Sequence, residues 1–251
     1  MLDPILVATP HLGAVERAEP VDGFVGNQTF RLHTADGVYY LKSGATIADE
    51  ARACELVRAA GVPAPEVIAL GTNYLITREL AGRPLAEASA SVLQAAGRAM
   101  RRVHSIAGAD AGWRRRLQQV LDDLDVLPAE LAVRVREMLP PFVARVQETA
   151  PVLLHGDLHL RHLYAVGGEL TGILDWGDAA YGDPVFDLAR MSMAGPEAMA
   201  AFLDGYGVIE LPERTLSCYR VLWSLMALQA EHLAGGDWFQ AHLDSITREL
   251  S

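Results

Sequence analysis

The sequence predicts an α+β fold with two lobes, in which a small β-sheet-plus-helix lobe precedes a larger, mainly helical lobe. Short strand-like runs separated by turn residues dominate the first third of the chain, and segments with helical spacing dominate the rest. A hydrophobic content of 51% in 251 residues is enough for a real core in each part. The chain is therefore predicted to be globular.

The first part of the chain predicts two β-hairpins with a helix between them. Ala35-Asp36-Gly37 supplies turn residues between two strand-like runs, and Gly61 with prolines just beyond it is a typical helix stop. The predicted elements are strands at 28–34 and 38–42, a helix at 48–60, and strands at 66–70 and 74–79.

The second part is predicted to be helical apart from one small hairpin. Most of its segments are rich in Leu, Ala, Val and Arg, have helical spacing and contain few β-forming residues. In contrast, two short apolar runs flank the turn residues Gly167-Gly168. The predicted elements are helical segments at 90–104 and 113–146, a hairpin at 163–174, and helices from residue 185 onward, clearest at 197–206 and 215–235.

Composition excludes several classes of protein. The formal net charge of −11 argues against nucleic acid as a partner, because no basic face is available to neutralise phosphates. No apolar run is long enough to cross a membrane and the start lacks a leader pattern, so a cytoplasmic protein without membrane contact is expected. Cys54 and Cys218 lie far apart, which favours ordinary buried residues over a disulfide or a zinc site.

The acidic charge is concentrated in the last two-fifths of the chain. Residues 151–251 contain 14 Asp and Glu against five Arg and no Lys, which gives −9 of the total −11. This excess has two interpretations: a solvated surface that keeps the protein soluble, or a groove that attracts a cationic substrate.

Lys42 is the single lysine among 21 basic residues, and all the others are arginine. A compact ammonium on a flexible stem differs from a planar guanidinium in what it can bind. A lysine that stands alone in such an Arg-rich chain indicates a functional position.

The densest group of chemically useful residues is formed by two nearby segments. The first runs from Leu154 to His162 with the sequence LHGDLHLRH, and the second is Ile173-Leu174-Asp175-Trp176, followed by Gly177 and Asp178. If the hairpin between them folds back, a carboxylate in a turn and a carboxylate at a strand end converge. Such a pair suits phosphoryl transfer, since one can accept a hydroxyl proton and the other can hold a divalent metal.

These segments resemble the aminoglycoside phosphotransferase family, which includes macrolide kinases and is related to choline and protein kinases. The resemblance rests on six elements in the same order, and it covers most of the chain. They are Gly26-Asn27-Gln28 with the following strand, Tyr40-Leu41-Lys42, Asp49-Glu50-Ala51-Arg52, the stretch from Leu75 to Gly82, His155-Gly156-Asp157 to His162, and Ile173-Leu174-Asp175-Trp176 with Gly182-Asp183-Pro184 and Asp187.

The resemblance implies a protein-kinase-like fold and a role for each matching residue. It implies that ATP or GTP is the co-substrate, bound by Lys42 with Glu50 as its ion-pair partner. Asp157 is implied as the catalytic base and Asp175 as a ligand of Mg²⁺, with Mn²⁺ as the alternative ion. Further nucleotide contacts are implied for the backbone of Gly23, Gly26, Asn27, Thr77, Arg78 and Leu80.

One position departs from the family pattern. The fifth residue after the base is usually Asn in this family, whereas here it is His162, as in macrolide kinases. Imidazole ligates divalent ions but favours softer metals than Mg²⁺. His162 is expected either to bind a second metal weakly or to hydrogen-bond phosphate or Asp157. His159 and Arg161 are expected to support the loop through Asp183 and Asp187. Asp187 is expected to brace the loop and not to touch the substrate, and His104 is expected in the core or at a helix end.

The acceptor site is expected among the C-terminal helices over the catalytic loop. Acidic residues beside an aromatic ring would suit an amine-bearing sugar, whereas Trp223 and Phe239 at helical spacing are typical of a core. The candidate acceptor residues are Asp178, Tyr181, Glu231, His232, Asp237 and Trp238.

Three functions remain open at the level of sequence. The first is a kinase that phosphorylates a hydroxyl of an aminoglycoside, a macrolide or a related antibiotic. The others are a metabolic kinase for a choline-like, amino-sugar or homoserine-like alcohol, and a non-catalytic nucleotide-binding pseudokinase. In each case the predicted N-terminal lobe spans 1–80, a hinge spans 77–82 and the C-terminal lobe spans 83–251.

Overall fold

A computed structural model of the chain describes residues 2–21, 28–87, 89–109, 112–146 and 150–251. The predicted phosphate-loop residues Gly23, Gly26 and Asn27 lie outside the described residues. The side chain of Arg145 lies outside them as well.

An antiparallel five-stranded sheet forms most of the N-terminal part. The strand order is β1-β2-β3-β5-β4, so that β3, which carries Lys42, occupies the centre. In the hairpin of β2 and β3, Phe30 lies opposite Leu41 and Thr29 lies opposite Lys42. The strands are β1 (Val15–Val21), β2 (Gln28–Thr34), β3 (Gly37–Ser43), β4 (Val67–Leu70) and β5 (Leu75–Arg78).

Two helices accompany this sheet. Helix α1 (Pro4–Leu12) begins at the N-cap Asp3, whose carboxylate accepts two backbone N–H groups, and it buries Ala8 against the sheet. Helix α2 (Ile47–Ala59) packs Ile47 and Ala51 against Leu75 of β5. This packing fixes the face of α2 that carries Glu50 toward the centre of the sheet.

The C-terminal part is mainly helical and contains two large hydrophobic clusters. One joins α4, α5, α6, α8 and α9, and the other joins α2, α3, α6 and α7. The helices are α3 (Ala90–Val103), α4 (Trp113–Asp122), α5 (Ala129–Val146), α6 (Val185–Ser192), α7 (Pro196–Tyr206), α8 (Glu213–Ala234) and α9 (Phe239–Leu250).

Two small antiparallel sheets position the catalytic segments between these helices. Strand β6 (Arg83–Pro84) pairs with β8 (Leu163–Val166), which pairs with β9 (Glu169–Ile173). Strand β7 (Val152–Leu154) pairs with β10 (Ala180–Gly182). The predicted catalytic loop therefore starts where β7 ends, and Asp175 follows the end of β9.

Most of the predicted elements are confirmed, with two corrections. Both N-terminal hairpins, the helix between them and the hairpin of β8 and β9 are present within one or two residues of their predicted bounds. The sequence prediction lacked α1, β1 and the short strands β6, β7 and β10, and the helical segment at 113–146 is interrupted between α4 and α5. The cysteines Cys54 and Cys218 are buried, as expected.

The boundaries predicted for the two lobes stay a prediction. The segment after β5 leads directly into β6, and Thr171 of β9 donates a hydrogen bond to the carbonyl of Ala81. Among the described residues, no helix has both the length and the apolar character needed to cross a membrane.

Helices α3 and α7 approach each other closely at two glycines. A Cβ built on Gly97 would lie 2.1 Å from the carbonyl oxygen of Phe202, and one on Gly205 would lie 1.9 Å from that of Gln94. Both obstacles are backbone atoms, which cannot rotate away. Only glycine therefore permits this distance between the helices.

We predict that Gly97→Ala destabilises the protein, although alanine is the better helix former by about 1 kcal/mol. The added methyl group must push α7 away, and overpacking of this kind costs about 1–3 kcal/mol. The free energy of unfolding, measured by urea denaturation with circular dichroism, should fall. Arg98→Ala on the exposed side of α3 is the control and should change that free energy by less than ~0.5 kcal/mol. A more stable Gly97→Ala protein would contradict the close packing.

Candidate active site

Lys42 lies at the centre of a three-residue ion-pair network. Its Nζ is 2.7 Å from Glu50 Oε2 and 3.1 Å from Asp175 Oδ1. The three residues come from β3, α2 and the segment after β9, so the contacts join distant parts of the chain. The side chains of Lys42 and Glu50 are 20% and 12% exposed, whereas that of Asp175 is 47% exposed and faces solvent.

The protonation states of this network follow from burial and charge together. Burial by itself lowers the pKa of the Lys42 ammonium, but the charges of Asp175 and Glu50 outweigh it, and that pKa is raised. Partial burial raises the pKa of Asp175, but the Lys42 ammonium more than compensates, and the net pKa is lowered. For Glu50, burial raises the pKa against the opposing effect of Lys42.

Asp175 has an unusual backbone conformation. Its φ of +62° makes it the one non-glycine residue with positive φ in the part of the chain that the structure describes. The next side chain, Trp176, is fully buried and donates its Nε1–H to the carbonyl of Ile173. A left-handed aspartate costs free energy, and strain of this kind concentrates at functional sites. Here it accompanies a carboxylate that reaches the Lys42 ammonium.

The catalytic loop is held by the buried carboxylate of Asp187 on α6. Asp187 accepts the backbone N–H groups of His155 at 2.7 Å and of Gly156 at 2.9 Å. It also accepts Nε2–H of the buried His104 at 3.0 Å, which fixes the tautomer of that ring. Gly156 has φ +89°, and a Cβ there would lie 2.2 Å from the carbonyl oxygen of Asp178. The expectation that Asp187 braces this loop is confirmed.

Asp157 carries its charge in a partly buried position. Arg190 on α6 donates Nε–H to Asp157 Oδ1 at 2.8 Å, and His159 Nε2 lies 3.6 Å from Oδ2. Burial raises the pKa of Asp157, but His159, Arg190 and His162 together lower it well below its ordinary value. Asp157 is therefore ionised at neutral pH. His159 faces Asp157, so the expected support through Asp183 or Asp187 is wrong for this residue.

His162 presents an unprotonated nitrogen to Asp175. Its Nδ1–H donates to the backbone carbonyl of Asp157 at 2.9 Å, and a carbonyl can only accept. Burial, reinforced by His155 and His159, lowers the pKa of His162 to about 4, so the ring is neutral at pH 7. Its Nε2 lone pair thus lies 3.7 Å from Asp175 Oδ2.

Two sets of side chains could hold a divalent metal. The ligand atoms of Asp157, His159 and His162 all lie within 4.8 Å of one another. In that set, however, His159 Nδ1 accepts the N–H of Arg161, so its Nε2 carries a proton and cannot ligate. Asp175 and His162 instead present two acceptor atoms to each other, which favours a cation between them. The Asp175–His162 pair is the better fit.

The other positions predicted for nucleotide binding lie along β5 and the segment after it. Thr77 of β5 pairs with Tyr40 of β3, two residues before Lys42 on the same strand. The Arg78 guanidinium points away to Glu66, with Nε 2.8 Å from Oε2, and lies over the ring of Tyr39. Leu80 packs against Gly172 of β9. Nucleotide binding by the backbone of Thr77, Arg78 and Leu80 stays a prediction.

The predicted acceptor residues do not form one cluster. Asp178 lies beside the catalytic loop and binds Arg116 of α4 at 3.3 Å. Tyr181 lines a cavity of about 260 Å³ between α2 and α4. Burial lowers the pKa of His242, and the nearby charge of Glu231 opposes this effect. The ring of His242 lies against Trp223. The remaining candidates are exposed on the end of α8 and the turn that follows it: His232, Asp237 and Trp238.

Sequence reasoning missed Arg190, whereas Trp223 and Phe239 pack against the core as expected. The Arg190 guanidinium carbon lies 3.8 Å from the centroid of the Trp223 ring, and Trp223 is only partly buried. A faint signal exists, since Arg190 stands three residues after Asp187 and so on the same face of α6. Such spacing is too common in helices to identify a partner of Asp157.

Comparison with known proteins gives a consistent result for fold and family. The structure of a variant of the aminoglycoside phosphotransferase APH(4)-Ia with ADP and hygromycin B matches with a TM-score of 0.75, at 18% identity over 99% of each chain. An aminoglycoside phosphotransferase with GDP and kanamycin matches with a TM-score of 0.77, at 16% identity over 97% of each. The predicted protein-kinase-like fold is thereby confirmed.

A third similar structure is a macrolide enzyme. The macrolide 2'-phosphotransferase MphH from Brachybacterium faecium has a TM-score of 0.70 and 19% identity, over 98% of this chain and 96% of that one. No curated protein sequence matches significantly. A sequence model of the phosphotransferase enzyme family matches residues 17–221, which include every residue of the Lys42 network and the catalytic loop. The chain therefore belongs to the phosphotransferase enzyme family.

Proposed function

We propose that this protein is a kinase that transfers the γ-phosphoryl group of ATP or GTP to a hydroxyl group of an antibiotic-like small molecule and thereby inactivates it. The observation that carries the proposal is the contact of Lys42 with both Glu50 and Asp175, 8 and 133 residues away. An oriented ammonium beside a partly exposed carboxylate suits a nucleoside triphosphate with its metal. Similar structures contain ADP with hygromycin B and GDP with kanamycin, which supports this class of substrates.

Each charged group of the site has a distinct task in this proposal. Lys42, fixed by Glu50, binds phosphate oxygens, and Asp175 with His162 holds Mg²⁺ or Mn²⁺. The metal, when bound, neutralises charge that develops on the phosphates. Proposed further contacts to the nucleotide come from the phosphate-loop residues and from the backbone of the hinge at 77–82, between lobes spanning 1–80 and 83–251.

Asp157 is proposed to act on the acceptor hydroxyl. Its carboxylate is ionised, has 28% of its side-chain surface exposed, and is kept in place by the loop that Asp187 holds. An ionised carboxylate within hydrogen-bond reach of a hydroxyl can orient it and accept its proton as the bond to phosphorus forms. Because the pKa of Asp157 is lowered, its main contribution is to orient the hydroxyl, with proton transfer late in the step.

We predict that Asp157→Ala lowers the rate of phosphoryl transfer by about 10³-fold, within the range of general-base deletions. The nucleotide contacts lie elsewhere, so nucleotide affinity should stay within threefold of the wild-type value, as roughly expected where no binding group is lost. Release of ADP or GDP is measured with Mg²⁺ and hygromycin B, kanamycin or a macrolide, and products are identified by mass spectrometry. Asp36→Ala in an exposed turn is the matched control.

The same screen separates the proposed function from its rivals. Turnover only with choline, an amino sugar or homoserine would favour a metabolic kinase. Nucleotide binding without transfer to any acceptor would favour a non-catalytic module. Normal transfer by Asp157→Ala would show that another group acts as the base.

We also predict that His162 sets the metal preference of the protein. Imidazole nitrogen binds Mn²⁺ more readily than Mg²⁺, whereas an amide oxygen suits both ions. His162→Asn should therefore lower the ratio of Mn²⁺ to Mg²⁺ affinity by about tenfold, the lower end for changes at metal sites. Affinities are measured by calorimetry with a non-hydrolysable nucleotide present, and His11→Asn, on exposed α1, is the control. Equal ratios in wild type and His162→Asn would exclude His162 as a ligand.

A further inference from the structure

The carboxylate of Asp157 is approached by two donors from opposite sides. The closer is Arg190, whose Nε–H reaches Oδ1 at 2.8 Å, while His159 Nε2 stays 3.6 Å from Oδ2. A carboxylate offers about four lone-pair positions, so one well-made hydrogen bond at Oδ1 leaves Oδ2 able to accept another. Arg190 therefore restricts the rotation of the group that is to meet the acceptor hydroxyl.

Arg190 is itself held in a single orientation. Its side chain is only 15% exposed, and the guanidinium lies over the ring of Trp223 on α8, with 3.8 Å between the guanidinium carbon and the ring centroid. Trp223 in turn meets the ring of His242 on α9 at 5.7 Å between centroids. A planar cation stacked on indole has far less freedom than a flexible ammonium would have. Arg190 therefore both holds the Asp157 carboxylate in position and supplies a positive charge beside it.

Neutralisation of Asp157 alone does not account for this arrangement. Taking a guanidinium out of water is costly, so a buried ion pair adds less net stability than its short contact suggests. The Arg190 guanidinium is nevertheless mostly buried, and it contacts an aromatic ring on a different helix. What the buried pair adds is a defined geometry at Oδ1.

We propose that Arg190, stacked on Trp223, is a positioning residue that fixes the Asp157 carboxylate for attack by the acceptor hydroxyl. The inference rests on the proposed function of the same site, since it assumes that Asp157 acts on the acceptor. It also joins the catalytic loop to α8 and α9, where the acceptor residues are expected. The C-terminal helices thus contribute to the reaction through contacts that lead to Asp157.

The test measures turnover of Mg²⁺-nucleotide with the best acceptor of the screen, or with water if no acceptor is found. Arg190→Met should lower kcat by about 10²-fold, the effect of a small misplacement of a catalytic group. The KM for nucleotide should stay within about twofold, because Arg190 touches none of the proposed nucleotide contacts. Arg190→Lys should recover only part of the loss, since it restores charge without the planar stack. Arg98→Met on the exposed face of α3 is the matched control.

A double-mutant cycle with Trp223 tests the support itself. Trp223→Leu should lower kcat in the wild type by less than Arg190→Met does, and should have no further effect in the Arg190→Met protein. Equal effects of Trp223→Leu in both backgrounds would show that Trp223 acts separately from Arg190.

Three further outcomes would contradict a positioning role for Arg190. Wild-type kcat in Arg190→Met, full recovery by Arg190→Lys, or a parallel loss of nucleotide binding would each overturn the positioning role. These outcomes require an active wild-type protein. Absence of turnover in the wild type would instead refute the proposed function.

Discussion

The ion pair of Lys42 with Glu50 and Asp175 is the interaction on which the rest of the site depends. Two carboxylates from α2 and from the end of β9 face one ammonium from the middle of the N-terminal sheet. Without that ammonium, the carboxylates of Glu50 and Asp175 would place two negative charges close together in a partly buried site. Neither charge would then have the positive partner that offsets the cost of its burial. The sheet, α2 and the second catalytic segment are therefore held in mutual position by one charge.

The second catalytic segment reaches that position through backbone geometry. Asp175 takes a left-handed conformation directly after β9, and the buried Trp176 anchors the turn by its bond to Ile173. The first segment is fixed differently, since Asp187 accepts hydrogen bonds from two of its backbone N–H groups and from Nε2–H of His104. Hydrogen bonds to a charged group contribute about 1.5–3 kcal/mol each. One buried carboxylate thus stabilises the loop on which Asp157 stands.

Local sequence signals predicted the elements but not the contacts between distant ones. Turn residues and alternation identified the hairpins, and glycine with following prolines identified the end of α2, because these signals act over a few residues. Helix α1 was missed because Pro10 lies inside it, and strand β1 was missed because its half-exposed pattern alternates weakly.

The residues of the site divide in the same way. Lys42, Asp157 and Asp175 were predicted because they stand in recognisable motifs and because Lys42 is unique in composition. Arg190 contacts Asp157 across 33 residues, from a helix on which the i,i+3 spacing from Asp187 is too common to identify that partner. Trp223 looked like an ordinary core residue, and only its place under the Arg190 guanidinium gives it another role. Pairings of this kind depend on the fold and leave no linear pattern.

The distribution of charge also changes the interpretation of the acidic C-terminal part. Composition favoured either solubility or a groove for a cationic substrate, and the carboxylates nearest the reaction argue against a groove at the reacting hydroxyl. Asp157 is paired with Arg190 and Asp178 with Arg116, whereas Asp175 shares the single ammonium of Lys42 with Glu50. An acceptor ammonium placed beside Asp157 would meet the Arg190 guanidinium and be repelled. The Asp157 carboxylate, already paired with Arg190, therefore offers little attraction to a cationic acceptor.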